Sequence, residues 1–540
     1  MDASVSTMSA AQAIAERLYE AGSRHAFGIP GGEVLALMDA LEQIGIKVTL
    51  VKHENCAGFM GEGAWHGGKG PAVLFATIGP GVANAVNAIA NAWQDRVPMI
   101  VLTGCVPAVE GHTYTHQVFD HVALLEPITK ASFRVEPGTA AVVIDKAVAI
   151  ATSGRPGPVV LDVPIDVQRE SSAAWHRSAH TVQQAMAPSG SALEEARNWL
   201  AEAERPLVIA GVDVITQGGE AGVEAFCRTF NAPLIATYKA KGIVPEDDPL
   251  ALGGAGLSPI CDAELLPLVK ASDCVVLAGY DPIEMRIGWR DPFEPDQRVI
   301  DITAEPNTHY MHQAPLNFVG DVAASLEAIG AGLEPRATWP DGEPAAAKTL
   351  LQDKLQKGED WGPAAVIDEA RKACPRNTVA TVDSGAHRIV LSQIWECYEP
   401  RGLLQSTALC TMGCAVPLAI GRKLAEPDRP VIAFIGDAGL EMFLGELATA
   451  RDLKLGIPIV VFVDEQLGLI ELKQRGLQMP NVGVDFAATD FTAVAEAMGG
   501  HGMVAADRAS LNAAIKESFA RDTFTLISAP IGRRAYDGRI

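Results

Sequence analysis

The chain has 540 residues, with 43 Lys plus Arg against 66 Asp plus Glu, and so a formal net charge of −23. At roughly 150 residues per domain this length implies three or four domains, and a hydrophobic share of 48% supplies ordinary globular cores. Strong acidity excludes nucleic acid and anionic membrane as main partners, since both are polyanions, and no run approaches the ~20 apolar residues of a membrane helix.

The opening residues MDASVSTMSAAQ lack the basic n-region and apolar core of a signal peptide. Short Val/Ile-rich runs then alternate with helical stretches. LFATI (74–78), MIVLTG (99–104) and PVVLDVP (158–164) read as buried parallel strands, with the Ala-rich segment 82–93 as a helix between them. A polar stretch around 171–190 breaks the pattern. It restarts with PLVIAG (206–211), PLIATY (233–238), CVVLAGY (274–280) and RVIDIT (298–303). A second break, 334–348, is rich in Pro, Ala and charge, like a linker. The third block holds NTVATVDSG (377–385), PVIAFIGD (430–437), PIVVFVD (458–464) and TLISAP (525–530). The expectation is an α/β protein of three doubly wound parallel-sheet domains, at 1–172, 190–335 and 355–532. Their similar sizes hint at distant duplication. Nine cysteines form no CxxC pair, the nearest two being Cys410 and Cys414. They read as buried reduced thiols of a cytoplasmic protein.

One strand of the third block ends in Gly436, Asp437, Ala438 and Gly439, followed by the helical run 445–456. Small residues let the backbone approach a phosphate, and a helix start offers N–H groups. Alone, this reads more readily as a tight turn. The next strand ends at Asp464, 27 residues beyond Asp437, the length of a strand–helix–strand unit. Two neighbouring parallel strands then present one carboxylate each at the same edge, a hard-oxygen site for Mg²⁺. The bland alternative for Asp464 is a helix N-cap or a loop acid.

Gly436-Asp437-Ala438-Gly439 with an acid 27 residues on resembles the signature of thiamine-diphosphate enzymes. Asp464 in place of the commoner Asn is similar to the FAD-independent, catabolic acetolactate synthases, and that resemblance implies the Gln466 carbonyl as a further Mg²⁺ ligand. Segments along nearly the whole chain agree. GIPGG (28–32) and VKHENCAGFMGEGAW (51–65) resemble the pyrimidine-binding domain, with Glu54 as the acid that bonds N1′ of the aminopyrimidine. The resemblance implies a pyrimidine-binding, a central and a diphosphate-binding domain in that order. It places Asn84 and His387 beside the cofactor. Met412, which alone would read as core, becomes the apolar prop under the bent cofactor. THQVFDHVALLEPITK (115–130) implies that Gln117 projects into the partner subunit's site. His116 beside it either donates a proton or positions the substrate.

ATYKAKG (236–242), GYDPIEMR (279–286) and GLIELKQ (468–474) resemble the catabolic enzymes or carboxyethylarginine synthase, which implies a cofactor set of thiamine diphosphate and Mg²⁺ without FAD. The implied activity is decarboxylation of a 2-oxo acid, pyruvate favoured, with carboligation to a second 2-oxo acid giving 2-acetolactate. Another 2-oxo acid decarboxylase, a carboxyethylarginine-synthase-like enzyme and a non-catalytic homologue are the alternatives. A site shared between subunits implies at least a homodimer, with a homotetramer common in the family. Cys410 and the run 465–469 depart from the catabolic pattern, so donor and acceptor are the least constrained features.

Overall fold

The computed structural model describes residues 8–172 and 186–540. Most of the polar break expected around 171–190 lies outside the described residues. Three six-stranded sheets, all parallel, follow one another along the chain. The first contains β1 (His25–Ile29), β2 (Lys47–Leu50), β3 (Ala72–Ala76), β4 (Met99–Cys105), β5 (Ala131–Arg134) and β6 (Pro158–Pro164) in the order β2-β1-β3-β4-β6-β5. The central sheet contains β7 (Pro206–Ala210), β8 (Leu234–Ala236), β9 (Ala251–Gly254), β10 (Cys274–Ala278), β11 (Arg298–Thr303) and β12 (Leu316–Val319) in the order β12-β11-β10-β7-β8-β9. The third contains β13 (Val379–Val382), β14 (Leu403–Gln405), β15 (Val431–Gly436), β16 (Pro458–Val463), β17 (His501–Val504) and β18 (Thr525–Pro530) in the order β14-β13-β15-β16-β18-β17.

Strands buried on both faces read as unbroken apolar runs. Along β15, Val431, Ala433 and Ile435 face one helical layer while Ile432 and Phe434 face the other. In the first sheet Leu74 and Val101 face one layer, Val73, Phe75 and Ile100 the opposite one. The first and third sheets share one strand order, in which strand direction of growth reverses between the first and third strands. The central sheet has the different order of dinucleotide-binding folds. The size-based hint of duplication therefore extends to topology for the outer two domains only.

A single apolar cluster joins those outer domains, running from Cys56, Met60, Leu74 and Val101 to Val416, Ile420, Ile435 and Val461. Its seam is the helix pair Glu54–Gly67 and Ala415–Ala425. Glycines allow the close approach: a Cβ on Gly421 would lie 1.9 Å from the Met60 carbonyl oxygen, and one on Gly63 2.2 Å from that of Leu418. The central domain has separate clusters on its two sheet faces. The linker-like stretch 334–348 turns helical in its second half. Helix Glu343–Lys354 begins there and packs Ala347 and Leu351 against the central domain.

Candidate active site

Strands β13, β15 and β16 are neighbours, and each is followed by an aspartate at its carboxyl end: Asp383, Asp437 and Asp464. A cavity of about 200 Å³ opens over them. Open α/β sheets place ligands at this edge, where strand order reverses; here the reversal falls between β13 and β15. The cavity gathers His387, Met412, Gly436, Asp437, Ala438, Gly439, Asp464 and Gln466, eight positions that the sequence singled out.

Asp383, 1% exposed, organises the floor. Its Oδ1 accepts from the Gly436 N–H (3.2 Å) and pairs with His387 Nε2 (2.7 Å), and its Oδ2 accepts from the Gly413 N–H (2.8 Å). His387 is thereby aimed at the cavity and stacked on Phe462, with ring centroids 5.3 Å apart. Gly413 has φ +79°, and a Cβ there would meet the Phe443 ring at 2.3 Å, so this turn requires glycine.

Asp437 accepts backbone N–H groups from Ala438 (2.8 Å), Asp464 (3.1 Å) and Glu465 (2.8 Å). Burial nevertheless raises its carboxyl above the usual range. Burial, then the neighbouring Asp437 charge, push Asp464 up to about 7. Two buried carboxylates that repel each other are what a divalent cation relieves. Among the described residues no group of three or more His, Cys, Asp or Glu side chains could hold a metal. The pair therefore fits an ion whose remaining ligands are phosphate oxygens, water and a backbone carbonyl, as Mg²⁺ prefers.

Three helices begin at the cavity: Ala386–Ile394, Asp437–Met442 and Gly468–Gly476. None has a side-chain N-cap, and Gly385, Gly436 and Leu467 stand at the capping positions. Their positive dipole ends suit a diphosphate in this otherwise acidic chain. The farther wall is apolar: Met412, Leu467, Leu469 and Ile470, with Cys410 beside them. Tyr536, 4% exposed, closes the cavity from the C-terminal segment. That segment is tied back by Asp537 to Arg475 (3.0 Å) and by the pair Arg539–Glu359. By sequence the tail RRAYDGRI (533–540) could either cover the site or lie free; its Tyr536 lines the cavity. Asp383 carries the same strand-end signal as Asp437 and was open to the same reading.

The remaining predicted residues belong to the first domain and lie outside the cavity lining. Glu54 begins helix Glu54–Gly67, is 4% exposed, and its Oε2 accepts from Asn84 Nδ2 at 3.0 Å. Gln117 sits over the Gly79 turn that starts the Asn84 helix; a Cβ on Gly79 would lie 2.5 Å from its carbonyl oxygen. Gln117 and His116 are both exposed, and Gln117 has φ +61°. None of Glu54, Asn84, His116 and Gln117 lines the cavity. Two buried supports escaped sequence reasoning. His121 accepts the Gly79 N–H (3.2 Å) on Nε2 and pairs with Asp162 (2.9 Å) through Nδ1. Glu446, 1% exposed, accepts the N–H groups of Lys52 (2.8 Å) and His53 (3.1 Å), so the third domain holds the turn that presents Glu54.

Three parallel α/β domains, one with a buried carboxylate pair and helix starts converging on a cavity, are the architecture of a cofactor-dependent α/β enzyme. Sequence comparison matches three models of one family in order: thiamine pyrophosphate enzyme, N-terminal TPP binding domain at 8–124, central domain at 193–329 and C-terminal TPP binding domain at 383–529. Acetolactate synthase isozyme 1 large subunit of Escherichia coli is 32% identical over 487 residues, covering 89% of this chain and 85% of that protein. Acetolactate synthase of Bacillus subtilis is 27% identical over 540 residues, covering 96% and 93%. Probable 2-ketoarginine decarboxylase AruI of Pseudomonas aeruginosa is 30% identical over 535 residues, covering 96% and 94%. The chain belongs to the thiamine pyrophosphate-dependent enzymes of the acetolactate synthase family.

Proposed function

We propose that the protein decarboxylates a 2-oxo acid, pyruvate favoured, with thiamine diphosphate and Mg²⁺, and transfers the remaining two-carbon unit to a second 2-oxo acid, giving 2-acetolactate. The carrying observation is the Asp437–Asp464 carboxylate pair at the ends of neighbouring strands, in a cavity with one charged and one apolar wall. When bound, the cofactor supplies an electron sink for the decarboxylation. Asp437, Asp464 and the Gln466 carbonyl hold Mg²⁺. His387 and the helix starts at Gly436–Gly439 and Gly385 hold the diphosphate, and Met412 supports the rings. Glu54, braced by Asn84, donates a proton to N1′ and sets the aminopyrimidine tautomer. Gln117 orients the substrate carbonyl, with His116 as proton donor or second positioning group. The apolar wall excludes water, whose protons would divert the product to an aldehyde.

Glu54 and Gln117 do not line the cavity, which supports a site completed by a second copy: a homodimer at least, with a homotetramer as the favoured assembly. Nine free cysteines support a reducing, cytoplasmic setting. Among the described residues no helix is long and apolar enough to cross a membrane. The absence of FAD is supported by the central sheet. Just beyond β7 and β10, between which that strand order would seat a dinucleotide, Asp213 and Asp281 pair with Arg155 (3.1 and 3.4 Å). A flavin pyrophosphate would face two carboxylates there.

A second reading, decarboxylation of a larger 2-oxo acid, is favoured by Cys410, Leu467 and Leu469. These lie in the two stretches that depart from the catabolic pattern, and all line the cavity. One experiment separates the readings. Purified protein with thiamine diphosphate, Mg²⁺ and pyruvate yields 2-acetolactate, read as acetoin after acidification, and shows no flavin absorbance. Acetaldehyde alone overturns carboligation. Turnover of a guanidino 2-oxo acid in preference to pyruvate supports the second reading.

A further inference from the structure

The site described above leaves unused a buried cation from the central domain. Lys239 lies in the single turn Tyr238–Ala240 after β8, and its side chain is 8% exposed. Its ammonium is 3.0 Å from Asp95 Oδ2 and 3.6 Å from Glu62 Oε1. Both carboxylates belong to the first domain and both are 1% exposed.

From each acid a chain of hydrogen bonds leads to the same loop of the third domain. Asp95 accepts the N–H groups of Thr407 and Ala408, each at 2.9 Å. Glu62 accepts from Asn91 Nδ2 (2.8 Å), the Asn91 Oδ1 accepts from Ser406 Oγ (2.6 Å), and Ser406 Oγ accepts the Thr411 N–H (2.9 Å). The loop 406–412 ends in Cys410 and Met412, both lining the cavity. Cys410 has φ +60°, a left-handed conformation for a residue with a Cβ. Such a conformation is strained and persists only when its surroundings over-determine it.

We propose that Lys239 is a positioning residue for the active site: by neutralising Asp95 and Glu62 it fixes the 406–412 loop and so holds Met412 and Cys410 at the ring-binding end of the cavity. Without the ammonium, two buried acids lose their counter-charge, and removing one partner of such a cluster is strongly unfavourable. They regain solvation only by moving, and the backbone N–H groups that Asp95 accepts move with them. The diphosphate end, built by Asp437, Asp464 and Gly436–Gly439, shares none of these bonds. The inference rests on the proposed seating of the cofactor in this cavity.

The test is calorimetric binding to the full-length protein with Mg²⁺, comparing thiamine diphosphate with inorganic pyrophosphate, which lacks the rings. Lys239→Met weakens thiamine diphosphate about tenfold, equivalent to roughly 1.4 kcal/mol, and leaves pyrophosphate unchanged. Lys239→Arg restores the cofactor. If Lys239→Met does not fold, Asp95→Asn shows the same split. Wild-type affinity for both ligands in the variant, or equal loss of both, overturns the proposal. Failure of pyrophosphate to bind the wild-type protein overturns the cavity assignment, and the inference with it.

Discussion

Two aspartates at strand ends on either side of β15 are held in opposite ways. Asp383 is satisfied by two backbone N–H groups and His387, so it is structural. Asp464 lies beside Asp437, and burial and then that neighbouring charge push its carboxyl up to about 7. Glu54 is a third case: an acid at a helix start whose one oxygen is taken by Asn84. Replacing it by Gln keeps that bond and removes the titratable proton. Glu54→Gln should lower kcat about 10²- to 10⁴-fold with cofactor binding little changed. Exchange of the cofactor's C2 proton, followed by NMR, would report near wild-type rates if Glu54 had no such role. The carboxylate pair was legible because chain spacing alone brings strand-end acids together. Tyr536 and Glu446 were not, because they reach the site from segments 72 and 392 residues away from the positions they serve, Asp464 and Glu54.

The helix pair Glu54–Gly67 and Ala415–Ala425 carries the alignment between the first and third domains. Its contact is backbone against backbone, so even one methyl group is too many. Gly421→Ala should separate the helices and lower the unfolding midpoint by on the order of 5 °C, as overpacking costs about 1–3 kcal/mol. The same change at Gly476, where a Cβ meets nothing within 4 Å, serves as control. A differential scanning measurement checks both. Strand legibility follows the same logic of burial. All eleven runs recognised in the sequence are interior strands. Of the seven strands it missed, six are the sheet edges, β2, β5, β9, β12, β14 and β17, where sequences such as KVTL, ASFR and HGMV are short or half exposed. Edge strands have only one neighbour to bury against, so hydrophobic runs do not mark them. The seventh, β1, begins with a histidine and is five residues long.

At the level of the whole molecule, the three domains meet around buried charge, and this has a pH signature. His66 lies among Lys239, Arg401 and Arg422 on one side and Glu62 and Asp95 on the other. Burial first, then those cations, hold its pKa well below 6.5. The folded chain keeps His66 neutral where the unfolded chain protonates it. Its contribution to stability is therefore complete above about pH 6.5 and declines as pH falls below it. His66→Gln should make the loss of stability between about pH 7 and 5 shallower by up to one proton, measured from unfolding midpoints. An unchanged slope would mean that His66 is charged in the folded state.

Because all eighteen strands among the described residues run parallel to their sheet neighbours, each sheet has one edge where strands finish and one where they start. The cavity uses only a finishing edge. The starting edge of the third sheet, including the exposed Asp522 just before β18, lies a full strand length away from it. This gives the protein a handle. A fluorophore or surface tether attached at position 522 by chemistry that spares thiols leaves Cys410 and the cavity untouched, so binding and turnover can be followed on immobilised molecules.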